Sequence, residues 1–115
     1  MKAGLRAGGG LATALAVAAG LAQAESAVTK TRLLCEVVYL PARSVWNRTV
    51  DIHHDERRVT EVRVDDVPVY SFAVRGTLIL TALDNERILI DIAGQTWTSD
   101  FRGMSSGQGR CERGA

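Results

Sequence analysis

Residues 77–92 read TLILTALDNERILIDI, and this stretch decides the fold. Two β-rich runs, 77–83 and 86–92, flank Asp84-Asn85, residue types that tolerate the positive backbone torsion of a tight hairpin turn. In the second run Ile88, Ile90 and Ile92 recur with a period of two, so one face of that strand is wholly apolar. Outward from this hairpin the same grammar repeats. Toward the carboxyl end, Ala93-Gly94-Gln95 makes a turn. Thr96 to Phe101 then sets Trp97, Ser99 and Phe101 opposite Thr96, Thr98 and Asp100. The run RGMSSGQG at 102–109 reads as a loop before a short last strand, Arg110 to Arg113, which holds Cys111.

Toward the amino end, Val67 to Arg75 puts Tyr70, Phe72 and Val74 on one face, with Pro68 near the start, where a missing donor costs least. Asp65-Asp66 joins it to Arg58–Val64, in which Val62 and Val64 face inward. The cluster His54-Asp55-Glu56-Arg57 is a turn. Arg48 to His53 sets Val50 and Ile52 against Thr49, Asp51 and His53, and Pro41 to Asn47 reads as a break. Thr31 to Leu40 aligns Leu33, Cys35, Val37 and Tyr39. The expectation is therefore an all-β chain, a small antiparallel meander of seven to eight strands closed into a barrel or flattened sandwich.

The chain contains two cysteines, Cys35 and Cys111, one on the first predicted strand and one on the last. Residues 1–24 carry Lys2 and Arg6, an apolar Leu11–Leu21 stretch and the small-residue box Ala22-Gln23-Ala24, the arrangement of a secretory signal peptide. The apolar stretch is too short to span a bilayer. Export to the periplasm or the medium permits disulfides, so Cys35 and Cys111 read as one structural bridge. Residues 25–30 read as a flexible lead-in and 31–115 as a single β domain. Cleavage after Ala24 removes two basic residues and no acid, leaving acids one in excess of bases with Lys30 the sole lysine. Such a balance offers no basic stripe for nucleic acid.

Chemistry is sparse. His53, His54, Asp55 and Glu56 are the densest group of possible ligands, but they match no metal-binding spacing and alternate strand residues diverge, so no metal and no cofactor is expected. No serine or cysteine stands in a recognisable nucleophile motif, and the carboxylate pairs Asp55-Glu56 and Asp65-Asp66 fall in solvated turns. The sequence reads as a non-enzyme. Trp97, sharing a face with Phe101, reads as core. Trp46 either plugs one end of the barrel, the preferred reading, or is offered to a partner. Arg43, Trp46, Arg48 and Arg102 fall in irregular segments. If the first and last strands are neighbours, these four residues form one mouth with arginines around an aromatic, the candidate site for a partner.

An exported all-β domain with cysteines near both ends is similar in outline to the periplasmic lysozyme inhibitors. That resemblance implies a small antiparallel barrel offering a loop to a protein. The family motif is S-G-x-x-Y, whereas here Ser106-Gly107 is followed by Gln108, Gly109 and Arg110, so the likeness covers architecture and carries over no site. The functional expectation is a non-catalytic bacterial envelope protein that binds a protein or cell-wall ligand. The alternatives are a structural or accessory protein pairing through a sheet edge, or a lysozyme-inhibitor-like protein. A long unpaired edge strand would favour the accessory protein, and an exposed aromatic on a concave surface the binding module. Protein recovered from the periplasm should begin at Glu25; an intact mass that retains residues 1–24 would overturn the signal assignment.

Overall fold

The computed structural model describes residues 28–114, so the proposed signal peptide and the first half of the lead-in lie outside the described residues. Nine strands run in chain order: β1 (Thr29–Leu40), β2 (Ser44–His54), β3 (Val59–Val64), β4 (Val67–Pro68), β5 (Phe72–Arg75), β6 (Leu78–Leu83), β7 (Glu86–Asp91), β8 (Thr96–Asp100) and β9 (Ser106–Arg113). They form one antiparallel sheet in the order β4-β3-β2-β1-β9-β8-β7-β6-β5. Two meanders, β1 to β4 and β5 to β9, are thus joined by the pairing of the first strand with the last.

The sheet curls because one of its faces is apolar. Leu33, Cys35, Val37 and Tyr39 of β1, Val50 and Ile52 of β2, Val62 and Val64 of β3, Ile79 of β6, Ile88 and Ile90 of β7 and Trp97 of β8 are all buried together. A lone sheet with one such face can hide it only against itself. The result is a half-barrel whose edge strands, β4 and β5, are two and four residues long.

Several boundaries differ from those the sequence suggests. The lead-in is not wholly irregular: Thr29 and Lys30 pair with His54 and His53, so β1 begins there. The break expected over 41–47 shrinks to a turn at 41–43, and Trp46 and Arg48 belong to β2, opposite Val37 and Cys35. The long strand expected over 67–75 divides. Val67-Pro68 pairs with β3 and Phe72–Arg75 with β6, leaving Tyr70 fully exposed in the link between the two edges. Both hairpin turns read from the sequence are present: Asp65 and Asp66 have φ of 52° and 68°, and Asp84 has φ of 57°.

The last strand is longer than its composition suggests. Gly107 and Gly109, read as loop residues, lie inside β9 and pair with Tyr39 and Val37. Their lack of a side chain makes the close approach possible. A Cβ on Gly107 would stand 2.7 Å from both Ser99 Oγ and Tyr39 Cε1, and one on Gly109 would fall on the Glu36 carbonyl. On the other side of β9, Gly109 is opposite Trp97, so the largest fully buried side chain is paired with a residue that has none. Cys35 and Cys111, directly opposite in the β1–β9 register, are bonded with Cα atoms 4.0 Å apart. That bridge closes a separation of 76 residues, constraining the unfolded chain by about 4 to 5 kcal/mol on the entropic account. Gly109→Ala should lower stability to denaturant by about 1–3 kcal/mol as β1 and β9 are forced apart; an unchanged midpoint would show that the approach is not tight.

Candidate functional site

At one end of the half-barrel the turn after β1, the Asp65-Asp66 turn, the β6–β7 turn and the β8–β9 loop surround a cavity of about 480 Å³. Three aromatic residues line it. Tyr39 is the last inward residue of β1, Trp46 lies on the same face near the start of β2, and Phe101 follows the end of β8. The Tyr39 ring meets Trp46 edge-on at 6.1 Å and 73°, and Phe101 at 6.0 Å and 52°. Leu40, Val67 and Leu83 add aliphatic wall. Trp46 keeps its inward register, yet it lies beyond the packed core and is 59% exposed.

Beneath the aromatics lies a buried polar network contributed by four strands. Arg48 (β2) is 8% exposed and Glu86 (β7) 3%, and they meet across the hollow, Arg48 Nη1 donating to Glu86 Oε1 at 2.9 Å. The Tyr39 hydroxyl accepts from Arg48 Nη1 and donates to Glu86 Oε2 at 2.6 Å. Ser99 Oγ donates to the same oxygen at 2.7 Å and accepts from the Trp97 indole N–H at 3.0 Å. Arg48 Nε donates to Asp65 Oδ2 at 2.6 Å, while Asp65 Oδ1 accepts the Thr49 amide at 3.0 Å. The guanidinium also lies 4.8 Å from the centre of the Trp97 ring. Such mutual satisfaction is what makes a buried ion pair tolerable, because removing either partner would leave the other charge stranded in a poorly solvated site.

Burial pushes the Tyr39 hydroxyl up to about 12, helped by its hydrogen bond to Glu86, while the positive charge of Arg48 pulls the other way. For Arg48 burial alone would lower the value, but the bonds to Glu86 and Asp65 outweigh it and hold the guanidinium even more firmly protonated. Tyr39 therefore stays a phenol and Arg48 a guanidinium across the physiological range.

Of the four residues proposed from sequence as one mouth, the fold brings Trp46 and Arg48 into the cavity lining and leaves Arg43 and Arg102 outside it. Arg43 sits in the turn after β1 with φ of 64°, its amide bonded to the Tyr39 carbonyl at 2.6 Å. Arg102, with φ of 53°, lines a shallow neighbouring hollow with Asp84 and Arg87. Arg48 is not a displayed arginine, being locked in the network, and Trp46 is not a core plug. Among the charged lining residues, three carboxylates (Asp65, Asp84, Glu86) stand against the single guanidinium of Arg48. The expected ring of arginines is thus replaced by a mouth with an acidic excess.

Sequence reasoning missed Tyr39, Glu86 and Phe101 as site residues. A signal existed, since Glu86 stands two residues before Ile88 and Arg48 two before Val50, so strand alternation puts both charges on the apolar face. The histidines lie elsewhere. His54 Nε2 is 3.1 Å from Thr31 Oγ1 and lines a separate hollow with Asp55 and Arg57, and His53 Nδ1 is 3.6 Å from Glu61. Among the described residues no group of three or more His, Cys, Asp or Glu side chains is placed to hold a metal ion. No family model, curated protein or solved structure matches the chain.

An unfolded chain surrenders a tyrosine proton near the ordinary value of 10.0, before folded Tyr39 does at about 12. Over that interval the folded state holds more protons, so stability should fall as pH rises from 10.0 toward 12. Denaturant titrations across the window check this, and Tyr39→Phe should flatten the decline; an equally steep decline in the variant would assign it to other groups.

Proposed function

We propose that this chain is an exported, non-catalytic bacterial envelope protein that works as a small binding module, taking a protein or cell-wall ligand at the mouth around Trp46. The observation that carries the reading is a large aromatic, 59% exposed, held on the concave face above a rigid and internally satisfied floor. Exposed aromatics on a preorganised surface are the residues that most often dominate binding, because few rotamers are lost when they are covered. The cavity volume lies within the range of ordinary ligand sites.

Two features favour a binder over an enzyme and over an edge-pairing accessory protein. Neither histidine lines the mouth, and its serines, Ser44 and Ser105, have no imidazole beside them to serve as a base. The edge strands are short, β4 with two residues and β5 with four, so an incoming strand would find few backbone partners.

Photo-crosslinking in cells separates the readings. A photoreactive residue replacing Trp46 should give a discrete adduct, while one replacing Val74 on the edge strand β5 should give none. Adducts at Val74 with none at Trp46 would exchange the mouth for the sheet edge.

A further inference from the structure

We propose that the ligand taken at the mouth is a small organic cation of the alkylammonium class. This rests on the reading of the mouth as a binding site and departs from it in the occupant, a small molecule in place of a protein or cell-wall ligand. Three kinds of occupant compete for an aromatic cavity: anions, neutral polar molecules and cations. An anion would need an unengaged positive group. The one cation lining the mouth is Arg48, whose Nε and Nη1 serve Asp65, Glu86 and Tyr39, whose charge is outnumbered by the two carboxylates that touch it whatever its Nη2 reaches, and whose side chain is 9% exposed. A neutral polar molecule such as a sugar would need hydrogen bonds from the floor. Both oxygens of Glu86 already accept, and the Tyr39 hydroxyl and Ser99 Oγ each donate and accept, so a neutral ligand is left the two rim hydroxyls of Ser44 and Ser105, while the carboxylates of Asp65 and Asp84 gain more from a cation.

A cation needs neither. It is held by field and by aromatic faces, and the mouth supplies both. Arg48 offsets one of the two carboxylates it touches, so the bonded Arg48–Glu86–Asp65 group keeps one net negative charge. Asp65 displays that charge, its side chain 40% exposed, and Asp84 adds a second on the lining. Low-dielectric walls focus such a potential toward the opening. Trp46 presents the ring type that attracts cations best, and alkylated ammonium ions lose the least hydration on entering an aromatic site. Arg43 and Arg102 stand outside the lining; Arg102 shares an adjoining hollow with Asp84 and Glu86, and its charge there, like that of the exposed Asp84, is screened by salt, so the field at the mouth rests chiefly on Asp65 and Glu86. The aliphatic wall and a volume of about 480 Å³ suit a low-molecular-weight ion with an apolar body rather than a bare metal cation.

The test is an amide and indole NMR titration of the disulfide-intact protein with three probes of similar shape: choline, its neutral isostere 3,3-dimethyl-1-butanol, and 3,3-dimethylbutyrate. At low salt choline should shift the Trp46 indole N–H and the amides of Phe101 and Ser105, with affinity about tenfold above the alcohol, a gap of roughly 1.4 kcal/mol. The butyrate should bind least. Raising salt should narrow the gap. Asp84→Asn, an exposed change that spares the buried network, should weaken choline selectively, and Asp65→Asn should do so more strongly. Trp46→Ala should abolish choline binding with a retained fold.

Equal or tighter binding of the alcohol or the butyrate at those same amides would overturn the cation assignment while leaving the binding module intact. Choline shifts confined to residues outside the mouth would overturn it as well, and crosslinking at Trp46 would then decide the module reading independently. An Nα-acetyl-lysine methylamide that bound more tightly than choline would reassign the site to a protein side chain and overturn the small ligand.

Discussion

The ion pair between Arg48 and Glu86 is the constraint around which this half-barrel is organised. The two residues belong to β2 and β7, strands separated in the sheet by β1, β9 and β8, so their contact crosses the hollow instead of following the hydrogen-bond ladder. A curled sheet open between its edges has no covalent or backbone tie at that end. Opposite charges with low solvent access supply one, and the hydroxyls of Tyr39 and Ser99 complete their hydrogen bonding. Replacing such a pair by apolar residues need not destabilise, whereas losing one member costs about 3 to 5 kcal/mol, so the two positions are energetically a unit.

The middle of the sheet is held differently. There β1 and β9 approach closely enough that Gly107 and Gly109 have no space for a Cβ, and the Cys35–Cys111 bond joins directly opposed residues. The volume spared by Gly107 is taken by Tyr39, Ser99 and Val37, and that spared by Gly109 by the β1 backbone at Glu36 and Val37, while Trp97 places its ring against Arg48 and its indole N–H on Ser99. Disulfide, glycines, tryptophan and ion pair thus form one contiguous assembly running from the first-to-last strand seam to the mouth. A change in the seam would be felt at the mouth through packing.

The mutual satisfaction of this floor bears on the proposed recognition. Because the buried polar atoms satisfy one another, they give a ligand little to hydrogen-bond, and what reaches the opening is their summed charge together with the rings above. A site of this kind discriminates by the sign of charge and by apolar shape. The backbone of Trp46 is fixed by its strand register and its ring meets Tyr39 edge-on, so covering it orders one side chain on an already ordered strand.

Much of this fold was legible in the sequence because strand alternation is local. The inward rows Leu33–Tyr39, Val50–Ile52, Val62–Val64 and Ile88–Ile92, the Asp65-Asp66 and Asp84-Asn85 turns and the pairing of the two cysteines follow from period, turn chemistry and the presence of two cysteines on the first and last strands. Composition misled where residue type and role diverge: Gly107 and Gly109 resembled a loop and proved to be strand, since only packing against Glu36, Val37 and Tyr39 reveals why they lack side chains. The division of 67–75 into two edge strands is likewise a matter of which neighbour each half finds. The site was half visible. Trp46 and Arg48 could be singled out by type, and alternation already put Arg48 and Glu86 on the apolar face. What alternation lacks is distance: residues 38 positions apart become a buried pair only when the sheet curls, and that contact turned an expected arginine mouth into an acidic, aromatic one.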